Sequence, residues 1–232
     1  MKNERFAGAV KLTAGILGGI SLIIAILILS VHMVCFDRGM YADEYKKEKT
    51  AIHMQTTDEE LMEATEALLL YIQGDRDTIM VDVEIDGETV PFYNEREAEH
   101  MIDVKVLYEN AMTVMWVCIA AFAVLTALQL ILFKKQGAKS AIKGFFAANI
   151  ISAAIIAALA VFLLVDFDTF WTSFHHVFFS NDLWQMNIFT DRMIQLFSGG
   201  DFFFTVCVRV VLWAVGIDVL LLLVAFAAKR KL

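Results

Sequence analysis

The sequence predicts an all-α polytopic membrane protein. It should have four transmembrane helices, a small extracytoplasmic α+β cap (a helix plus a β-hairpin) and an outer re-entrant or interfacial loop. Three observations carry that fold class. The 232 residues are 59% hydrophobic with a mean hydropathy of +0.63, outside the range of ordinary soluble domains. Four stretches reach the roughly 20 apolar residues that a bilayer-crossing helix needs. Lysines and arginines gather at one set of span ends, as the positive-inside bias requires.

The spans are expected at about 12–34, 111–133, 144–165 and 202–228, all in one membrane domain covering 1–232. The first three contain no Asp, Glu, Lys or Arg, and the last is interrupted only by Arg209 and Asp218. The first stretch is too long for a signal-peptide core and no A-x-A site follows it, so it is expected to stay as an anchor. Bulky Met33 and Val34 before Cys35 argue against a lipoprotein signal in the chain itself.

Orientation follows from charge. Lys2, Arg5, Lys11, Lys134, Lys135, Lys139, Lys143, Lys229, Arg230 and Lys231 flank one predicted side, against a single acid, Glu4. Both termini and the 134–143 loop are therefore expected in the cytoplasm, with the cap (35–110) and the loop 166–201 outside. The 35–110 segment carries 20 acids against 7 bases, so the net charge of −8 averages two opposite halves. Three cysteines, Cys35, Cys118 and Cys207, show no metal-type spacing. A Cys35–Cys207 disulfide is open; unpaired apolar thiols are the simpler expectation.

After the first span, 36–57 reads as a polar, mixed linker. Thr57 with Glu60 then forms a capping-box pattern, and Leu61, Ala64, Leu68 and Ile72 recur at helical spacing up to Gly74. The period next switches to two, with Ile79, Val81, Val83 and Ile85 on one face. Asp86-Gly87 suits a two-residue hairpin turn, and Pro91 places the return strand at an edge. A second capping box pairs Asn94 with Glu97 and opens a helix that runs toward the second span. On it, His100 and Asp103 share a face. The sequence leaves open whether this helix continues into the span or bends first.

The 166–201 stretch opens with Asp166 and Asp168, and Phe170, Trp171, Phe178 and Phe179 supply an interfacial aromatic belt. Within it, 174–196 mixes His175, His176, Asn181, Asp182, Trp184, Asp191 and Arg192 with phenylalanines, a composition suited to a loop where polar groups meet acyl chains. Thr190 is expected to cap a short helix carrying Met193, Ile194, Leu196 and Phe197, and Ser198-Gly199-Gly200 to turn the chain into the last span.

Histidine is the natural proton carrier near neutral pH. Any one interfacial histidine is more often bonded to a headgroup or carbonyl than catalytic, which is the reading kept for His32 and His53. His100 backed by Asp103, together with His175, shifts that balance because the two can converge on one site. A zinc site from His100, His175, His176 and a carboxylate is the competitor, but no H-E-x-x-H spacing exists and adjacent histidines seldom share a metal. There is no G-x-S-x-G elbow, P-loop or dinucleotide fingerprint, so nothing points to nucleotides, nucleic acid or serine hydrolysis. No metal or cofactor is expected. Arg209 lies about 10 Å into its span, a depth at which ionisable groups are functional suspects. It also permits snorkelling. Asp218 is expected to bond another helix.

The runs REAEHMIDVK (96–105), FHHVFFSNDLW (174–184) and TDRMIQLF (190–197), in a four-span frame, resemble the bacterial lipoprotein intramolecular transacylase (Lit-like) membrane proteins. The resemblance covers the whole topology. It implies an acyltransferase of the bacterial plasma membrane, working on the extracytoplasmic face with bilayer lipids around it. Its substrate would be a membrane lipoprotein with a diacylglyceryl-modified N-terminal cysteine, from which one acyl chain moves to the α-amino group. By motif position His100 and His175 would be catalytic, with Asp103, Arg96, Glu97, Asp182, Trp184, Asp191 and Arg192 in support; Arg209 is kept as a site candidate for its depth. His175 would move the proton, and His100, oriented by Asp103, would stabilise charge. Two other classes stay open from the residues alone: a metal-dependent membrane hydrolase, and a non-enzymatic sensor or assembly factor acting through the acidic cap.

Overall fold

The structure, a computed structural model, describes residues 2–197 and 202–232, with side chains from residue 5 onward. In order the elements are α1 (Lys2–Cys35), α2 (Arg38–Glu48), α3 (Thr50–His53), α4 (Asp58–Gln73), β1 (Asp82–Ile85), β2 (Glu88–Pro91), α5 (Glu95–Val165), α6 (Phe167–Phe178), α7 (Arg192–Phe197) and α8 (Phe202–Lys231). Among the described residues α1, α5 and α8 are long and apolar enough to cross a membrane. The fold is largely helical with one small two-stranded sheet. The chain divides into two compact units, 1–31 with 111–171 and 210–232, and 32–110 with 172–209.

In the first unit the notable element is α5. As one straight helix its 71 residues would run about 105 Å, over three times a hydrocarbon core. It is broken instead at Lys134, whose φ of 49° and ψ of −126° are not helical. Just past the break the chain packs on itself: a Cβ at Gly137 would lie 1.9 Å from the Gln129 carbonyl oxygen. The arm after the break meets α1 backbone to backbone, where a Cβ on Gly144 would come within 2.1 Å of Gly15. Gly19 repeats that approach against Ala148, and Gly18 on the same helix faces Phe122 and Leu125 of the arm before the break. Small residues at one-turn spacing let helices approach this closely in lipid, where dispersion contacts replace the hydrophobic effect. The Asn149 amide donates to the Phe145 carbonyl, and the buried Asp218 Oδ1 has no hydrogen-bond partner among the described residues.

The second unit corrects one expectation at once. Residues 38–53 are not a polar linker but helices α2 and α3. Met40, Tyr41, Glu44 and Tyr45 are buried, at the one-turn spacing of a helix face, and the lysines at 46, 47 and 49 obscure that pattern. Asp37 caps α2, its carboxylate accepting from the Gly39 and Met40 N–H groups. The Tyr45 and Thr65 hydroxyls are 2.7 Å apart, and the Tyr93 hydroxyl donates to the Ala64 carbonyl, tying both tyrosines to α4. Burial raises the pKa of both phenols, so they stay neutral.

α4 starts and stops where its capping residues require: Thr57 accepts from the Glu60 N–H, and Gly74 ends it at φ 87°. The hairpin turns on Asp86 (φ 52°) and Gly87 (φ 79°), the two positive values a tight turn of this kind needs. Its ladder runs from Asp82↔Pro91 to Ile85↔Glu88, so Pro91 takes a terminal position and pairing begins later than the alternation from Ile79 suggested. Residues 174–178, expected in a loop, belong to α6. Thr190 does not cap α7; its hydroxyl donates to Asp191. The Ser198-Gly199-Gly200 turn lies outside the described residues. All three cysteines are free.

Candidate active site

Two helix starts, one helix end and one loop, all in the second unit, make the candidate site. At the start of α5 the capping box is reciprocal: the Glu97 N–H donates to Asn94 Oδ1 at 2.9 Å, and the Asn94 N–H donates to Glu97 Oε2 at 2.7 Å. The other oxygen, Oε1, accepts from the Met193 N–H at 2.6 Å. One carboxylate, 0% exposed, thus caps both α5 and α7. Burial raises its pKa, against the pull of those two N–H groups and of Arg192.

Charged neighbours complete this joint. Asp191 accepts from the Asn94 amide at 2.9 Å, the Asn187 N–H at 2.7 Å and the Thr190 hydroxyl at 3.0 Å. Burial works against the charge of Asp191, but these bonds together hold its carboxyl below the usual range. Arg192 donates to the carbonyls of Pro91 and Phe92, fastening α7 to the end of the hairpin. Arg96 donates to the carbonyls of Asp182 (2.5 Å) and Gln185 (3.3 Å), and Asp182 Oδ1 accepts from the Gln185 amide. The loop 179–191 is therefore fixed by groups from the first turn of α5.

That joint brings the two histidines together. His100, one turn along α5 from Arg96, is 7% exposed; His175, near the end of α6, is 5% exposed. Both rings lie on Phe179, at 5.2 Å and 5.7 Å between centroids. Trp184 stacks on His175 at 4.5 Å with 22° between planes. His100 Nδ1 is buried and has no hydrogen-bond partner among the described residues. Its pKa is pushed down to about 4, first by burial, then by the proximity of His175 and Arg96, with Asp103 opposing. At neutral pH that imidazole is uncharged, able to donate from one nitrogen and accept at the other.

Asp103 differs from expectation. Its Oδ2 accepts from the Asn181 amide at 2.8 Å, and no hydrogen bond joins it to His100 among the described residues. Asn181 in turn accepts the Trp184 indole N–H through its carbonyl at 3.0 Å. Asp103 therefore reaches His175 through Asn181 and Trp184. His176 is exposed and meets Trp184 edge-on. Arg209 is 3.6 Å from Asp37 at the start of α2, and no hydrogen bond or ion pair joins it to the histidines among the described residues. His32 is paired with the Tyr108 hydroxyl at 3.1 Å. No group of three or more His, Cys, Asp or Glu that could hold a metal ion occurs among the described residues. Sequence reading gave Phe179 only a membrane-belt role. Its spacing of four from His175 was the available signal that the two share a face.

Residues 16–204 match the family described as lipoprotein intramolecular transacylase Lit, a span that contains both histidine blocks. The chain belongs to the Lit family. This membership makes it an acyltransferase. Its fold is similar to that of the membrane-integral Lit of Bacillus cereus, with a TM-score of 0.74 at 18% identity over 97% of this chain and 100% of that one. Two variants of the same Bacillus cereus protein, each with one histidine replaced, by arginine or by alanine, give 0.72 at 17% and 18% identity. Each covers 99% of this chain. No curated protein matches the chain. For this Lit-family enzyme the structural likeness speaks to the fold, and the family match to the class of chemistry.

Proposed function

We propose that this enzyme moves one acyl chain from the diacylglyceryl group of a membrane lipoprotein to the α-amino group of the same N-terminal cysteine, by histidine acid–base catalysis. The observation that carries this reading is the pair His100 and His175, buried on one phenylalanine, with hydrogen-bonding capacity at His100 Nδ1 that the fold does not use. Amine and ester sit on one substrate, so the reaction needs no nucleophile from the protein. Holding them in contact supplies much of the rate by itself.

In the first step the amine nitrogen attacks the ester carbonyl carbon and its proton passes to His175. In the second the tetrahedral intermediate collapses, the C–O bond breaks, and His175 returns the proton to the glyceryl oxygen. Nothing is consumed. Proton transfer of this kind contributes about 10²–10⁴-fold. His100, neutral through burial, donates to the developing oxyanion, as a buried uncharged imidazole can. Exposed Phe174 and Phe178 on α6, in ring contact, offer an apolar surface for acyl chains.

The break at Lys134 supports reading the two arms of α5 as separate spans, four in all with α1 and α8. The lysine and arginine distribution supports cytoplasmic termini and a site on the extracytoplasmic face. Mass spectrometry of lipoprotein N-termini tests the assignment: cells expressing the enzyme should yield N-acylated lyso-lipoprotein, and His175→Ala should abolish it. Unchanged N-termini with His175→Ala would overturn the acid–base role.

A further inference from the structure

Trp184 is the one large side chain of the 179–191 loop laid flat on His175. Its orientation is set by a bond within the loop that is itself anchored to α5. The indole N–H is committed to the Asn181 carbonyl, the Asn181 amide to Asp103, and the backbone at 182 and 185 to Arg96. With its N–H so engaged, the ring turns its π face, not a hydrogen bond, toward the imidazole.

We propose that Trp184 stabilises the imidazolium that His175 becomes on taking the substrate's proton, and so sets the proton affinity of the base; this rests on the acid–base assignment of His175 above. Trp184 is then a positioning residue that acts through its electron-rich face. The face of an indole attracts a cation within about 6 Å of its centroid, more strongly than tyrosine or phenylalanine does. His175 is 4.5 Å away and stacked. Among the described residues the ionisable groups on the elements packed here include His100, Arg96 and Asp103 of α5, His176 of α6, and Asp182 of the loop. The proximity of His100 opposes a positive charge on His175, and Asp103 has one carboxylate oxygen engaged by Asn181. A proton arriving on His175 therefore puts its charge on a ring already stacked on an electron-rich indole face, which attracts that charge.

The test is the pH–rate profile of the purified full-length enzyme on a synthetic diacylglyceryl-cysteine lipopeptide, with fluorinated tryptophans installed at position 184. These keep the shape and the N–H and progressively weaken the negative face. The acid limb of kcat should move to lower pH step by step, by about one unit across the series. kcat should fall severalfold while KM stays within about twofold. Trp184→Phe, keeping an aromatic face, should shift the limb less than Trp184→Leu. An acid limb that stays fixed across the fluorinated series overturns the proposal, whatever happens to the rate. His175→Ala run alongside separates the two claims. If it is inactive and the limb is fixed, only the Trp184 role fails; if it retains acyl transfer, the His175 assignment fails and takes this proposal with it.

Discussion

Asp103 is hydrogen-bonded to Asn181, not to His100. This extends its influence beyond His100 to the other histidine, because Asn181 also fixes the Trp184 ring against His175. Asp103→Ala and Asn181→Ala should each lower kcat, between about three- and thirtyfold, by letting that loop drift. The double substitution should cost no more than the worse single one, since both break the same link. Full additivity in the acyl-transfer rate would show that Asp103 works elsewhere.

Glu97 should be a stability residue above all. Glu97→Ala leaves the buried Met193 N–H and the Asn94 N–H without their carboxylate, at about 1–3 kcal/mol for each unsatisfied group. Glu97→Gln keeps one acceptor oxygen but places an NH₂ group opposite the other N–H, so it should recover only part of the loss. Thermal unfolding in detergent measures both; equal melting temperatures for Gln and wild type would contradict the two-helix cap.

His100 gives the fold a pH dependence whose sign is fixed. Its pKa is about 4 in the folded chain against an ordinary 6.5, so the unfolded chain binds the proton that the fold refuses. Its contribution is complete above about pH 6.5 and is lost as pH falls toward 4, at no more than about 1.4 kcal/mol per pH unit for one group. Glu97, with a raised pKa, acts in the opposite sense: its contribution is present at low pH and lost as pH rises through the folded value. The difference between wild type and His100→Gln isolates the histidine. That difference should shrink on acidification from pH 6.5, and a constant offset would contradict it.

Gly144→Ala should be among the most damaging single substitutions outside the site. The new Cβ would lie 2.1 Å from the backbone of Gly15, and backbone cannot step aside as a flexible side chain can. A loss above about 2 kcal/mol is expected, or no folded protein. Gly8→Ala on the same α1 helix, where a Cβ meets nothing within 4 Å, is the matched control and should melt like wild type.

Much was legible because it is local. Thr57 with Glu60 and Asn94 with Glu97 announced two helix starts, since a capping residue acts within one turn of itself. Asp86-Gly87 announced the hairpin, since the turn needs positive φ at adjacent residues. The apolar stretches announced membrane-capable helices, since length and apolarity are read along the chain. Helix α2 was missed because its buried face is only Met40, Tyr41, Glu44 and Tyr45, one of them an acid, next to a run of lysines.

The sequence by itself determined which proton-carrying residue types were available to the proposed chemistry, His100 and His175 among them, and the capped helix start that carries His100. Tertiary structure alone decided that one carboxylate, Glu97, caps its own helix and also the Met193 N–H 96 residues on, that Asp103 reaches Asn181, and that Trp184 lies flat on His175. The reason is the range of the forces involved. Caps, turns and periodicity act between residues a few positions apart, whereas a buried carboxylate or an aromatic face takes whatever partner the folded chain brings within 3 to 5 Å.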